Sequence, residues 1–113
     1  MRLLLYAADP VEVIREALVD VPGLEGAFVF GSVARGTAEP ESDLDIFLVG
    51  TRDDRKRAVR LLGELGFVIM RPVDVIGRES EQVMNSEEPF IQRVLAGPKV
   101  WVNGSEDRLA RAA

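Results

Sequence analysis

The chain has 113 residues, and 14 Lys and Arg against 19 Asp and Glu give it a net charge of −5. It contains neither cysteine nor histidine, which excludes disulfides, thiolate or imidazole metal sites and histidine general bases. The negative charge argues against direct nucleic-acid binding, and no apolar run approaches the roughly 20 residues of a membrane span. We therefore expect a single cytoplasmic domain over residues 1–113, without a membrane anchor, whose chemistry depends on carboxylates, hydroxyls, Lys, Arg or backbone groups.

Helices and strands alternate in the first half of the sequence. Asp9 and Pro10 predict the start of a helix, with Glu12 placed as a capping-box carboxylate, and the helix is expected to end at residues 22–23. The sequence then predicts a strand at Gly26–Phe30 and a tight turn with one helical turn at 31–36. A polar loop over 37–42 and a second strand at Leu44–Val49 follow.

The second half continues the alternation. Thr51 can cap a helix over 52–65, which Gly66 would end. The remaining predictions are a third strand or pair of strands over 67–76, in which Pro72 puts a bulge or an edge, two short helices over 78–85 and 87–96, a last strand over 99–102 and a frayed helical tail over 105–113. The second of the two short helices is expected to pack Phe90, Ile91, Val94 and Leu95 in the core. This order predicts an α/β fold, with a small mixed sheet flanked by helices.

The turn after the first predicted strand has the composition of a phosphate-binding turn. Gly31 lets a ligand approach the backbone closely, and the backbone N–H groups at a strand-to-helix turn point outward. The Ser32 hydroxyl adds a donor for a phosphate oxygen. A Gly-Ser pair by itself is more often only a turn, so the signal depends on its neighbours.

Carboxylates follow at the start of the second predicted strand. Asp43 and Asp45 are two residues apart, so their side chains project from one face, roughly 6.6 Å apart along the chain. Two unpaired charges there repel by about 2.5 kcal/mol at an effective dielectric constant of about 20, and Mg²⁺, which prefers carboxylate and phosphate oxygens, would remove that cost. Asp74, flanked by Val73 and Val75 in an apolar segment, is a candidate third ligand for a two-metal site.

Each of these features has a plainer interpretation. An Asp-x-Asp at a strand start is more often a solvated strand end, and Asp74 could be a structural acid paired with Arg71 or Arg78. The mixed charges of residues 52–57 are typical of a solvated helix start. The carboxylate pair and the glycine turn in combination nevertheless favour metal-assisted phosphoryl or nucleotidyl transfer.

Gly31-Ser32, ten further residues and then Asp43-Leu44-Asp45 resemble the signature of the nucleotidyltransferase superfamily that contains DNA polymerase beta. The resemblance covers residues 28–76, and residues 89–102 resemble the end of such domains. The small size makes the chain similar to the minimal nucleotidyltransferases, whose partners are helical HEPN-domain proteins, including toxin–antitoxin pairs. The resemblance implies the nucleotidyltransferase fold.

The resemblance also implies roles for matching positions. The catalytic, metal-binding positions of the family are matched by Asp43, Asp45 and Asp74. Its nucleotide-binding positions are matched or adjoined by Gly31, Ser32 and Arg35. In the family, the carboxylate matched by Asp74 deprotonates or orients the incoming hydroxyl. The basic residue that usually follows the serine is replaced by Val33, which predicts fewer phosphate contacts.

The activity that the resemblance implies is the metal-dependent transfer of a nucleoside monophosphate, AMP from ATP, onto a hydroxyl acceptor, with two Mg²⁺ ions. Because the core takes up nearly all of the sequence, we expect the acceptor site to be completed by a partner protein or by another copy of the chain. A HEPN-type partner with a tyrosine as acceptor fits this expectation, and the chain would then act as an antitoxin. The alternative is a non-catalytic module that binds a nucleotide or a partner and neutralises a toxin-like partner by contact.

Overall fold

The computed structural model describes residues 9–39 and 41–112. Residue 40 of the predicted loop and residue 113 of the predicted tail lie outside these ranges. Helices alternate with strands in the following order: α1 (Pro10–Leu18), β1 (Gly26–Phe30), α2 (Gly31–Arg35), β2 (Leu44–Val49), α3 (Arg52–Ile69), β3 (Val73–Arg78), α4 (Ser80–Met84), α5 (Pro89–Ala96), β4 (Val100–Asn103) and α6 (Glu106–Ala112).

The four strands form one sheet in the order β3-β2-β1-β4. Strand β1 runs antiparallel to both β2 and β4, whereas β2 and β3 are parallel. The parallel pair needs a crossover connection, which α3 supplies. The sheet is therefore mixed and has helices on both faces, which confirms the predicted α/β class.

Each face of the sheet buries its own apolar core. On one face, α1 and α3 pack on the sheet through Ile14, Leu18, Ala58 and Leu62 against Ala27, Val29, Leu44, Ile46 and Leu48. On the other, α4, α5 and α6 pack through Val83, Ile91, Val94 and Leu109 against Phe28, Phe47 and Val49. The alternation along β2 separates these two sets, as expected for a strand that is buried on both sides.

Helix α1 begins as the sequence predicts but ends earlier. The Asp9 carboxylate accepts hydrogen bonds from two backbone N–H groups of the first turn, at 3.0 and 3.4 Å. The Glu12 side chain forms an ion pair with Arg15. The helix ends at Leu18 rather than at residues 22–23. The next three N–H groups, of residues 19–21, each donate to the carbonyl three residues earlier, so the chain continues in tight turns instead of an α-helix.

Helix α3 is longer than predicted. The Thr51 hydroxyl caps it, but it continues past Gly66 to Ile69 and ends at Met70, whose φ is 56°. Ile69 still packs against the core below α3, so tertiary contacts outweigh the roughly 1 kcal/mol that an interior glycine costs a helix. The third strand consequently begins only at Val73, and the prediction of a strand from residue 67 was wrong.

The C-terminal elements differ from prediction mainly in their bounds. Strand β3 extends to Arg78, so the next helix begins at Ser80 rather than at residue 78. The predicted tail is a helix whose Leu109 is only 3% exposed, which docks it on the sheet. Within the described ranges, no helix is both long and apolar enough to cross a membrane.

Phe28 provides a test of this core. It is fully buried, stacks on Phe47 with ring centroids 5.2 Å apart and meets Trp101 edge to face at 5.0 Å. We expect Phe28→Ala to lower the free energy of unfolding by about 3–5 kcal/mol, measured by urea denaturation. Phe67→Ala, at a phenylalanine that is 89% exposed, should change it by less than about 0.5 kcal/mol; similar losses in both variants would contradict the packing described.

Candidate active site

Strand pairing brings the first two carboxylates together. Asp45 on β2 is in register with Asp74 on the parallel strand β3 and, on its other side, with Phe30 on β1. Register partners on neighbouring strands have side chains on the same face, about 4.8 Å apart at the backbone. Both carboxylates therefore project from the face that carries Phe47, as the alternation of β2 predicts.

The loop before β2 positions the third carboxylate. The Arg71 guanidinium donates two hydrogen bonds to the Ser42 carbonyl, at 3.0 and 2.9 Å. The Leu44 N–H donates to the Pro72 carbonyl at 2.9 Å. These bonds fix the backbone on both sides of Asp43 beside the start of β3, where the Asp43 side chain meets that of Asp74.

The crowding of these acids perturbs their ionisation. Burial raises the pKa of Asp45 above its ordinary value of 3.8, and the negative charges of Asp74 and then Asp43 raise it further, while the Arg35 guanidinium opposes the rise. The hydrogen bond with Asp43 raises the pKa of Asp74, with smaller contributions from burial and from the Asp43 charge. The site therefore concentrates more negative charge than the described cations beside it neutralise.

The turn predicted to bind phosphate lies against the same carboxylate. Gly31 adopts a positive φ of 71° between β1 and α2, and a Cβ atom there would overlap the carboxylate of Asp45. Only glycine combines this conformation with so close an approach. Helix α2 begins here without a side-chain cap on its N–H groups, so the turn presents backbone donors next to Asp45.

The other residues of the turn divide between site and core. Ser32 is half-buried, and Arg35 is exposed but close enough for its charge to act on Asp45. Val33 packs against the core under α1 and α3, so this position contributes apolar packing, not a phosphate contact. The structure thus brings Gly31 and Arg35 to Asp45, with Ser32 in the same turn.

Asp74 is less enclosed than the sequence suggests. Its side chain is exposed on β3, which is an edge strand, so its charge carries less of the desolvation cost than is expected of a residue within an apolar strand. The two arginines proposed as structural partners are engaged elsewhere: Arg71 at the Ser42 carbonyl and Arg78 with Glu88 at 3.3 Å. The carboxyl that contacts Asp74 is Asp43.

The donor set fits a hard divalent cation in its chemistry. Carboxylate oxygens, such as those of Asp43, Asp45 and Asp74, are the ligands that Mg²⁺ prefers. Among residues 9–39 and 41–112, however, no three acidic side chains converge tightly enough to form a ready-made metal site.

The structure adds site residues that sequence reasoning missed. A cavity of about 370 Å³ opens beside Gly31 and Asp45, and α5 closes its far side with Phe90 and Arg93. The sequence predicts that Phe90 packs in the core together with Ile91 and Val94, yet Phe90 is 40% exposed. Its position off the buried stripe of Ile91 and Val94 was the available signal.

Comparison with known proteins defines the class. The family described as polymerase beta, nucleotidyltransferase matches residues 12–103. The match spans most of the chain and includes the Gly31 turn and the three carboxylates of Asp43, Asp45 and Asp74. The chain therefore belongs to this family. No curated protein sequence matches it.

Solved structures share the fold at low sequence identity. A toxin–antitoxin structure with AMP-PNP is 20% identical, with a TM-score of 0.62 over 93% of this chain and 81% of the other. A mutant of the toxin–antitoxin pair MntA–HpeT is 18% identical, with a TM-score of 0.61 and the same coverage. A protein described as a minimal nucleotidyltransferase is 24% identical, with a TM-score of 0.54 over 87% of this chain and 94% of its own. These likenesses confirm the nucleotidyltransferase fold.

The close approach of Gly31 to Asp45 can be tested against a second glycine. Gly31→Ala and Gly36→Ala introduce similar backbone strain, because their φ angles are 71° and 76°, but a Cβ at Gly36 meets no atom within 4 Å. We expect both to lower the free energy of unfolding by about 1 kcal/mol or more, and Gly31→Ala to lose more because it displaces the Asp45 carboxylate. Equal losses in urea denaturation would contradict that close approach.

Asp45 should make stability depend on pH in a defined direction. Because its pKa is raised above 3.8, the folded chain holds this proton more tightly than the unfolded chain. The free energy of unfolding therefore falls as pH rises from about 3.8 through the raised pKa, and stays lower above it.

We expect Asp45→Asn to melt at or a few degrees above the wild-type temperature at pH 7 with EDTA, and the difference to vanish as pH falls below the raised pKa. Glu64→Gln, at an exposed acid on the outer side of α3, is the control and should show no such pattern. A markedly lower melting temperature for Asp45→Asn at pH 7 would mean that this carboxylate makes net favourable contacts.

Proposed function

We propose that the chain is a metal-dependent nucleotidyltransferase that transfers AMP from ATP to a hydroxyl group of a HEPN-type toxin partner and thereby acts as an antitoxin. The observation that carries the proposal is that Asp45 lies beside both Asp74 and the Gly31 turn, while Asp43 contacts Asp74. Two of these acids have raised pKa values. Nucleotidyl transfer requires carboxylates that can hold divalent cations next to groups that donate hydrogen bonds to phosphates.

The proposed reaction is an in-line displacement at the α-phosphorus of ATP. The acceptor oxygen forms a bond to this phosphorus while the bond from the phosphorus to the oxygen that bridges to the β-phosphate breaks. Pyrophosphate leaves with the electron pair, and the acceptor loses its hydroxyl proton. The products are the AMP ester of the acceptor and pyrophosphate.

The residues divide this work by their positions. The backbone donors at Gly31 and the Ser32 hydroxyl hold the phosphates. Asp74, exposed on the edge strand with a raised pKa, is placed to accept the acceptor's proton. Divalent cations held by Asp43, Asp45 and Asp74 would neutralise the charge that develops on the phosphates.

The proposal of a partner rests on the openness of the site. Asp74 and Asp43 are exposed, so an acceptor on another protein can reach them. The structural neighbours include toxin–antitoxin assemblies, and the sequence resembles minimal nucleotidyltransferases that act with HEPN proteins. A second copy of the chain is the other candidate for completing the acceptor site.

A second candidate function is neutralisation of the partner by contact alone. The observation that favours it is that the described acidic side chains do not form a ready-made metal site. In that case the carboxylates would be dispensable, and nucleotide binding would be regulatory or absent.

Transfer from labelled ATP to a host lysate distinguishes these functions. With purified protein and Mg²⁺, we expect a protein band labelled from α-³²P ATP but not from γ-³²P ATP, since AMP carries only the α-phosphate. EDTA should abolish the label. Asp43→Asn/Asp45→Asn should reduce labelling about a hundredfold or more, because the variant loses charge stabilisation of the transition state.

A charge-matched control separates this loss from a general effect of charge. Glu39→Gln/Glu41→Gln removes two exposed acids just before the site and should leave the labelling within about twofold. If wild-type protein of confirmed fold gives no label, transfer is contradicted. Neutralisation of the toxin partner by Asp43→Asn/Asp45→Asn at the wild-type level would then favour the contact function.

A further inference from the structure

A groove of about 430 Å³ lies between the first half of α3 and the edge strand β3. Its uncharged lining consists of Leu48, Val75 and Gly77 from the sheet and Val59 from the helix. Leu48 and Val75 belong to the core between the sheet and α3, whereas the candidate site projects from the opposite face, which carries Phe47. The groove is therefore separate from the candidate active site.

The rest of the groove's lining is basic. It consists of Arg52, Arg55, Lys56 and Arg60. Residues three and four apart share one side of a helix, so α3 turns all four toward the groove. The Arg55 side chain lies across Gly77, where a Cβ atom would overlap it. The other three basic residues are exposed and form no ion pair with any residue that the structure describes.

The neighbouring charges of α3 point elsewhere. The Arg57 guanidinium donates to the Asp20 carbonyl at 3.2 Å, and the Asp54 carboxylate lies against Gly23, so both are turned toward the connection between α1 and β1. No acidic residue of the described ranges lines the groove. The groove is therefore positive although the chain as a whole has a net charge of −5, and it favours an anionic ligand.

The free edge of β3 adds backbone groups beside the groove. The Leu44 N–H donates to the Pro72 carbonyl at 2.9 Å, and the direction of the backbone groups alternates along a strand, so the N–H groups of Val75 and Gly77 face away from β2. No strand in the described part of the chain pairs with that side of β3. Such an edge is a template on which a further strand can pair.

We propose that the groove binds an extended acidic segment of a partner protein, which pairs with the free edge of β3 as a fifth strand. Side chains alternate between the two faces of a strand. Every second side chain of the segment would therefore lie on the α3 face, where an acid pairs with Arg52, Lys56 or Arg60. The side chains between them would lie on the face of Asp74, where a further acid is repelled, so uncharged residues fit there.

Two observations favour a peptide over a nucleic acid. The backbone N–H groups of Val75 and Gly77 are placed to pair with another strand, and the floor of the groove is apolar. The net charge of −5 also opposes a long polyanion. The inference goes beyond nucleotidyl transfer and does not depend on it.

An NMR titration of the ¹⁵N-labelled full chain tests the proposal. The ligand is a blocked peptide of the length of β3, six residues, in which Glu alternates with Thr. We expect saturable binding, with the amide protons of Val75 and Gly77 moving downfield as they gain hydrogen bonds. The amide protons of Asp74 and Ile76, which face β2, should move less. A peptide with Lys in place of Glu should bind at least about tenfold more weakly, because its charges are repelled.

A pair of matched variants tests the role of charge. Arg60→Glu and Arg57→Glu make the same change at exposed arginines of α3, but only Arg60 lines the groove. We expect Arg60→Glu to raise the Kd for the Glu-Thr peptide at least about fivefold. Arg57→Glu should leave it within about twofold at physiological salt, which screens charges outside the groove. The circular dichroism of both variants should match that of the wild type.

Three results would overturn the proposal. The first is a folded wild type that shows no saturable binding of the Glu-Thr peptide up to about 1 mM. The second is binding that leaves the Val75 and Gly77 amides unshifted or that both variants weaken equally. The third is tighter binding of an oligothymidylate with the same number of charges, lost in Arg60→Glu, which would make the groove a nucleic-acid site.

Discussion

The parallel pairing of β2 with β3 is the constraint from which the site follows. It sets Asp45 directly beside Asp74. Asp43, two positions before Asp45, then also lies against Asp74. Burial and then the charges of Asp74 and Asp43 raise the pKa of Asp45, so the folded chain carries an electrostatic cost at neutral pH that the unfolded chain avoids. A bound proton or cation relieves that cost, which links the topology of the sheet to the chemistry of the site.

The surrounding structure holds these charges together against their repulsion. Leu44 and Ile46, on either side of Asp45, are fully buried, so the backbone of β2 cannot shift without exposing core. Arg71 neutralises none of the acids but holds the Ser42 carbonyl through two hydrogen bonds, and so keeps Asp43 in place. The apolar core therefore supplies the free energy that keeps the carboxylates close.

The two sides of Asp45 differ in shape and in exposure to solvent. Toward β1 there is a glycine turn and a partly open cavity with an aromatic wall and two arginines. Toward β3 there is an exposed edge strand that carries Asp74. In the proposed reaction, the exposed edge strand is where an acceptor on another protein would reach Asp74.

The sequence by itself determined the α/β class, the Asp9 and Thr51 caps, both central strands, and the glycine turn with its acids, because these depend on local patterns of a few residues. It did not determine where α3 ends, since Ile69 stays helical through contacts with a distant core. It also placed Asp74 inside an apolar strand, where a charge is costly, and Phe90 in the core. Only the tertiary structure decided that β3 is an edge strand and that Phe90 faces a cavity beside Asp45, because strand order and helix docking depend on residues far apart in the chain.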